Sequence, residues 1–403
     1  MTKTLRTTAI CRATIACVAS LVGASAAQAV DWTGYMRGGP AATSVSGKSR
    51  QCYGIGELKY RLGNECDFYG EFQLAQAMKA DGVDFNAVLM TNYYSPSTES
   101  NNNFGVEQAY VEMKGVDIAP QALFWMGKRR DRDDVHIVDT FFTNMSGVGG
   151  GVENIDVGFG KFGFSGYKAD TPAQQVDGVL NTTAGNNGVG RIHAQLYDIP
   201  VNPDGKLRLV GTFSKADSQG GVKGKDGFGF TAEHVQDKFF GGGNHIWVQY
   251  AQGSTNINQG FGNAVADSGT KTWRVVESPS WQIGAFGGQA IALYQHDEAS
   301  NGVKWNSYTL GGRGSWGVTK NLKFLTEVGF SGRKPNSGSQ ENLTKITIGP
   351  ALSTGPDFWK RPELRLYVTY ADFNKAAAAD AANGLPTNKT NAVSYGAQVE
   401  IWF

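Results

Sequence analysis

The chain has 403 residues, 37 basic and 36 acidic, so its near-zero net charge of +1 offers no electrostatic footprint for nucleic acid. No apolar run long enough to cross a bilayer as a helix follows residue 29, so any membrane span must be made of strands. Glycine at 54 residues and aromatics at 11%, with no three-residue period, exclude collagen and suit a barrel with tight turns and aromatic rings at two membrane interfaces.

Residues 1–29 read as an export signal. Lys3, Arg6 and Arg12 make a basic start, residues 13–24 are largely apolar, and Ala27-Gln28-Ala29 supplies a small-x-small cleavage pattern. Cys17 raises a lipoprotein alternative, against which Thr14 stands where a bulky aliphatic residue belongs. Without the three basic residues of the leader the balance shifts from +1 to about −2. Two cysteines, Cys52 and Cys66, remain in a chain bound for an oxidising compartment. A disulfide is the natural assignment, worth roughly 3 kcal/mol by loop entropy. A metal site is disfavoured, because no histidine lies nearby to complete a ligand set.

Alternation of apolar and polar residues then recurs from end to end. In residues 30–38, Asp31, Thr33, Tyr35 and Arg37 share one face, opposite Val30, Trp32, Gly34, Met36 and Gly38. From Tyr60 to Met78 the same pattern sets Arg61, Tyr69, Glu71 and Gln73 against Phe68, Phe72 and Leu74, with a short turn at Gly63-Asn64. Further strands are expected at 107–114, 121–128, 153–168, 190–198, 205–215, 227–236, 245–252, 271–277, 281–295, 305–318, 320–333, 341–350 and 361–373. The last, 393–403, sets Gln398, Glu400 and Trp402 on a wet face and ends on an aromatic residue. Counting the longer segments as hairpins gives about fourteen to eighteen strands.

Loops are expected at 94–104, 168–189, 216–227, 252–270, 334–341 and 374–392, alternating with short turns such as Asn202-Pro203-Asp204-Gly205. Long loops alternating with short turns are the asymmetry of outer-membrane barrels. No compositional step divides residues 30–403, which are expected to form one domain. A soluble β-sandwich or β-helix is the rival fold, and alternation alone does not separate it from a transmembrane barrel.

The wet faces carry the candidate chemistry. Closure of a barrel would make the first and last strands neighbours, bringing Tyr35 towards Trp402 inside the lumen. Aromatic faces cover the C–H surface of sugar rings, while carboxylates and guanidinium groups exchange hydrogen bonds with hydroxyls. The bland reading is that these rings only brace the wall. The densest charge run, Lys128 to Asp134 followed by His136, Asp139, Phe141 and Phe142, begins where a strand ends. It reads either as a solvated external loop or as an inward constriction whose mixed charge favours neutral polar solutes. The Gly-rich run at 146–152 reads as a turn. The five histidines are scattered without H-E-x-x-H spacing and no G-x-S-x-G elbow is present, so an enzyme is not expected, nor a cofactor.

Six separated stretches in order resemble maltoporin, the outer-membrane maltodextrin channel family. They are VDWTGYMRGG at 30–39, KYRLGNEC at 59–66, GKR and DVHIVD within 127–139, VENIDVGFGKF at 152–162, GFTAEH at 229–234 and GAQVEIWF at 396–403. The resemblance implies an all-β, 18-stranded transmembrane antiparallel barrel, a homotrimer set among outer-membrane lipid and lipopolysaccharide, with an inward-folded constriction loop. It implies passive diffusion of maltose and malto-oligosaccharides, with general small-solute diffusion as the alternative. It further implies a sugar slide of Tyr35, Tyr69 and Trp402, and a polar track and constriction of Arg37, Arg61, Glu71, Arg132, Asp134, Asp139 and Phe141. Cys52 and Cys66 match the family's cysteine pair. Departures accompany the likeness: Phe141 replaces a tyrosine, Glu107 an arginine, the second-loop tryptophan has no counterpart in STESNNNF, and Gly243 and Leu352 stand where exit-side slide rings are expected.

Overall fold

The computed structural model describes residues 29–96, 103–169, 175–176, 179–180, 188–218 and 223–403. The expected leader, apart from Ala29, lies outside them, as does most of the STESNNNF segment. Antiparallel strands follow one another round a closed wall: β1 (Asp31–Gly38, prolonged by Ala41–Thr43), β2 (Phe68–Ala80), β3 (Val83–Ser95), β4 (Asn103–Lys114), β5 (Leu123–Arg129) and β6 (Gly147–Asp156). They continue as β7 (Lys161–Ala169), β8 (Val189–Asn202), β9 (Gly205–Ala216), β10 (Asp226–Phe239), β11 (Gly242–Gly253) and β12 (Lys271–Ile283). The wall ends in β13 (Phe286–Glu298), β14 (Lys304–Gly317), β15 (Leu322–Pro335), β16 (Glu341–Ser353), β17 (Glu363–Phe373) and β18 (Asn391–Trp402). Because Ala41–Thr43 merely extends β1 along β18, the sheet is a barrel of 18 staves.

Closure comes from β1, which pairs with β2 on one side and β18 on the other. Most strands have 12 to 14 residues. At about 3.3 Å per residue and a tilt near 45° they cross roughly 30 Å, a bilayer's hydrocarbon thickness. β17 shows the sidedness: Glu363, Arg365, Tyr367 and Thr369 are buried inside, whereas Leu364, Leu366, Val368 and Tyr370 are exposed outside. That is the reverse of a soluble barrel and settles the choice against a sandwich. Rings gather at both rims: Trp32 meets Phe403 edge-on at 5.0 Å at the short-turn end, and Tyr93 meets Phe68 and Phe104 at 5.9 and 5.3 Å at the long-loop end.

Four expectations need correction. The segment from Tyr60 to Asp67 is loop rather than strand, and β2 begins only at Phe68. β3 was not expected at all, because its FNAVLMTNYY core alternates weakly. The glycines of 147–151 are strand β6, where the neighbouring backbone comes so close that a Cβ on Gly149 would sit 2.0 Å from the Gly166 carbonyl oxygen. β12 runs through Pro279 to Ile283 instead of stopping at Glu277. The loop at 374–392 also holds a short helix, Lys375–Ala379.

Two long loops fold into the lumen. Residues 44–67 carry Tyr53, Ile55, Leu58, Tyr60 and Leu62, all buried, and the Cys52–Cys66 disulfide closes this loop with a Cα–Cα distance of 6.0 Å. Tyr60 lies flat on the wall only because Gly311 and Gly329 leave space: a Cβ there would meet its hydroxyl oxygen at 2.4 Å and its ring at 2.1 Å. Residues 130–146 form the second plug, a small hairpin of Arg132–Asp134 with Phe141–Asn144. Its Val135, Ile137, Val138 and Phe142 pack on Trp247, Val276, Ile291 and Leu293 of β11 to β13. The charge run is thus internal, and the external-loop reading falls.

Arg274 on β12 pins this plug. Its guanidinium donates to the carbonyl oxygens of Phe142 and Phe141 at 3.0 and 3.3 Å and to Gln249 Oε1 at 2.6 Å, and it lies over the Phe142 ring at 4.9 Å. Charged hydrogen bonds of this kind contribute about 1.5–3 kcal/mol each. The variant Arg274→Met is therefore expected to keep the barrel but loosen the hairpin, giving a larger and noisier single-channel current. A current trace indistinguishable from the parent would count against the pin.

Candidate functional site

Barrel closure sets the terminal strands beside each other in a definite register. Tyr35 lies opposite Glu71 on one side and Trp402 on the other, and Arg37 opposite Tyr69 and Glu400. Directly opposed residues point to one face, so all six side chains enter the lumen, as alternation predicts. The Tyr35 and Tyr69 rings stand 6.4 Å apart, with the Arg37 guanidinium 5.6 Å from the Tyr69 ring. The Tyr35 hydroxyl donates to Glu400 Oε1 at 3.1 Å and accepts from Arg61 Nη2 at 2.5 Å, while the Tyr69 hydroxyl donates to Glu71.

The two plugs complete the site. Arg61 arrives from loop 44–67, not from a strand face, and donates from Nε to Glu65 at 2.6 Å. Glu65 also accepts from Arg37 at 3.1 Å, and Arg37 from its other nitrogen reaches Asp67 at 3.0 Å. The plugs join backbone to backbone, Arg61 N to Ile137 O at 3.0 Å and Asp139 N to Lys59 O at 2.9 Å. This sets Asp139 against Lys59 at 2.8 Å. Arg130 pairs with Glu71 at 2.6 Å, Arg132 lies 3.7 Å from the same carboxylate, and its guanidinium sits 4.3 Å over the Phe141 ring. Every sequence-derived candidate thus lies in the lumen. Phe141 is half-exposed there, and Asp134 faces a space that it shares with Trp402.

That space is a cavity of about 490 Å³ on the short-turn side of the hairpin. Asp134, His136, His245, Trp247, Trp359 and Trp402 line it, with Ser278, Ser280 and Gln289 as neutral polar partners. Trp359 was missed by the sequence reading, which found no exit-side rings. It comes from the turn between β16 and β17, where no alternation marks a residue's direction, and lies 6.5 Å from Trp402. His136 packs between the two at 5.4 Å from each. A second cavity of about 420 Å³ lies on the other side of the plug, lined by Glu57, Arg274, Asp297 and Trp305 among others.

Behind the rings runs a ladder of ion pairs. Glu400 holds Arg361 at 3.0 Å and Arg365; Glu363 takes Lys323, Arg361 and Arg365 at 2.6, 3.0 and 2.5 Å; Glu327 takes Arg313 and Lys345 at 2.7 and 2.8 Å. The Arg361 guanidinium stands 4.2 Å over Trp402. Such a wall presents many donors and acceptors, with five cations set against three carboxylates. Among the described residues no cluster of His, Cys, Asp and Glu is arranged to hold a metal.

A family model described as LamB porin matches residues 30–403. Among solved structures, the chain is similar to the anion-selective porin from Comamonas acidovorans, at 14% identity over 93% of this chain and 99% of that one, TM-score 0.48. It is also similar to the trimer form of OmpT from Vibrio cholerae, at 12% identity over 93% and 99%, TM-score 0.39. A mutant of Rh. blastica porin matches at 11% over 93% and 100%, TM-score 0.42.

The titrating groups of the plug divide by their neighbours. Burial would raise the Asp139 carboxyl, but Lys59 and Arg37 outweigh it and hold it at about 2. Burial lowers His136 to about 4, with Arg61 and Arg313 adding and Glu400 opposing. His136 is therefore neutral at pH 7 and accepts at Nε2 from Arg361 at 3.1 Å. Asp134 is raised by burial against the pull of Arg61, with Asp133, Asp139 and Glu400 adding to the rise. A carboxyl depressed in the folded state stabilises fully above its unfolded value near 4 and loses that contribution as pH falls towards 2. Asp139→Asn should accordingly lower the unfolding midpoint at pH 7 and flatten its decline between pH 4 and 2; parallel curves for parent and variant would contradict the assignment.

Proposed function

Since the chain belongs to the LamB porin family, its model covering residues 30–403, we propose that this outer-membrane diffusion pore carries sugars, with short malto-oligosaccharides as the best-fitting class. The observation that carries the reading is the line of rings Tyr69, Tyr35, Trp402 and Trp359, which runs along the lumen wall into the 490 Å³ cavity. A sugar can slide its C–H faces over these rings while the bordering guanidinium and carboxylate groups replace the water its hydroxyls give up. The cavity lies in the usual range for small-molecule sites and suits one or two sugar rings. Two plugs in one lumen, and a Phe141 ring without a hydroxyl on the second of them, favour short saccharides over long dextrins. Flux is downhill, driven by the gradient of the solute. The family resemblance extends the reading to a homotrimer surrounded by lipid and lipopolysaccharide.

One observation favours the alternative of unspecific small-solute diffusion. The Tyr35 hydroxyl is taken by Arg61 and Glu400, and that of Tyr69 by Glu71, so neither is free for a sugar without exchange. The two readings diverge on block of single-channel current by glucose, maltose and maltohexaose. A sugar channel shows saturable block, and Trp402→Ala or Trp359→Ala should weaken it about five- to tenfold, corresponding to roughly 1 kcal/mol per stacked ring. Absence of saturable block by every sugar would leave only the general pore.

A further inference from the structure

The hairpin plug carries four acids, Asp131, Asp133, Asp134 and Asp139, and three of them have an ion-pair partner, Asp131 and Asp133 sharing one. Arg208 takes Asp133 at 3.1 Å and Asp131 at 3.4 Å, and Lys59 takes Asp139 at 2.8 Å. Asp134 has no ion pair and its carboxylate no hydrogen bond among the described residues. It is exposed into the cavity that Trp359, Trp402, Trp247 and two histidines line. Arg61 is the cation that pulls on it, and its guanidinium is already bound to Glu65 at 2.6 Å and to the Tyr35 hydroxyl. Arg361 and Arg313 are behind His136 and are bound to Glu400, Glu363 and Glu327. His136, between them and the cavity, is neutral at pH 7.

An aromatic-walled cavity with an unpaired carboxylate attracts a cation in two ways. The ring faces present negative quadrupole to it, and the carboxylate forms a charge-assisted hydrogen bond with an N–H donor. Trp402 already receives Arg361 over its ring in this manner. A neutral sugar satisfies the rings but leaves Asp134 without a counter-charge. We propose that the cavity prefers a small sugar bearing a protonated amine, a hexosamine, with its ammonium on Asp134 and its C–H face on the tryptophans. This rests on the reading of the cavity as the solute site and narrows the class that it takes.

The test uses the full-length protein in planar bilayers at pH 6, where an alkyl amine is protonated. Half-blocking concentrations of glucosamine, N-acetylglucosamine and glucose are extrapolated to zero voltage, so that the field on the charged sugar drops out. Glucosamine should block at about tenfold lower concentration than glucose, N-acetylglucosamine at about the glucose value. In Asp134→Asn the glucosamine advantage should vanish, and in Asp134→Glu it should survive. Because the Asp134 carboxylate makes no internal bond, both variants are expected to insert as the parent does, and the sugar-free single-channel conductance serves as the control for a working pore. Equal block by all three sugars, or an advantage that persists in Asp134→Asn, overturns the amine preference while leaving a sugar channel. Absence of block by any of the three overturns both.

Discussion

Everything in this molecule depends on the seam where β1 joins β18. Within hydrocarbon no water is present to satisfy an unpaired strand edge, so the sheet must close on itself. The seam also fixes register. Tyr35 is set between Glu71 and Trp402 because the ladder pairs these residues, and a slip by one position would turn Trp32, Gly34 and Met36 inward instead. The same hydrogen bonds that make the membrane span possible therefore assemble the aromatic line from residues more than 360 positions apart in the chain.

The interior that results is polar where a soluble protein's would be greasy. Glu327, Glu363 and Glu400 are almost wholly buried, and each is held by two or more cations. Removing such charges from water is costly, and their attraction offsets the cost only when geometry is good and the remaining polar atoms are satisfied. Here the backbone helps: Leu62 donates its N–H to Glu327 at 2.9 Å and its carbonyl accepts from Lys345 at 2.7 Å. The wall network and the first plug are thus one structure. Because opposite signs are interleaved, every carboxylate of the network is satisfied, and the wall still offers hydrogen-bonding groups to the lumen.

The plugs divide labour. Loop 44–67, closed by its disulfide and seated through Tyr53 on Ser394 and Tyr60 on Thr309 at 2.8 and 2.9 Å, is a platform. Loop 130–146 lies on that platform, with apolar residues towards β11 to β13 and charges towards the open lumen. Its small hydrophobic core explains why a segment so rich in charge stays inside: the charges ride on a hairpin that buries Val135, Ile137, Val138 and Phe142. The cavity beside Trp402 exists because this hairpin stops short of the turn-side rings.

Much of this was written in local pattern. Period-two alternation marked most staves, showed which side of β1, β2 and β18 was wet, and placed Tyr35, Arg37, Tyr69, Glu71 and Trp402 inside. The cysteine pair and the alternation of long loops with short turns were equally plain. Pattern failed where no period exists or where it misleads. Tyr60 and Arg61 alternate like a strand yet sit in a loop, Tyr60 seated on Thr309, 249 residues away, and Arg61 on Glu65 and the Tyr35 hydroxyl. The glycines before Val152 resemble a turn, but close approach to β7 demands them in a strand. Trp359 lies in a turn, where nothing local states direction. The sequence by itself determined a chain of two-faced strands joined by alternating long loops and short turns, since alternation and turn chemistry are short-range properties of the chain. Only the tertiary structure decided that the wet faces turn inward, which loops fill the lumen, that Trp359 joins Trp402, and that Asp134 alone among the plug's acids lacks an ion-pair partner among the described residues, because these follow from contacts between segments that closure of the barrel brings together.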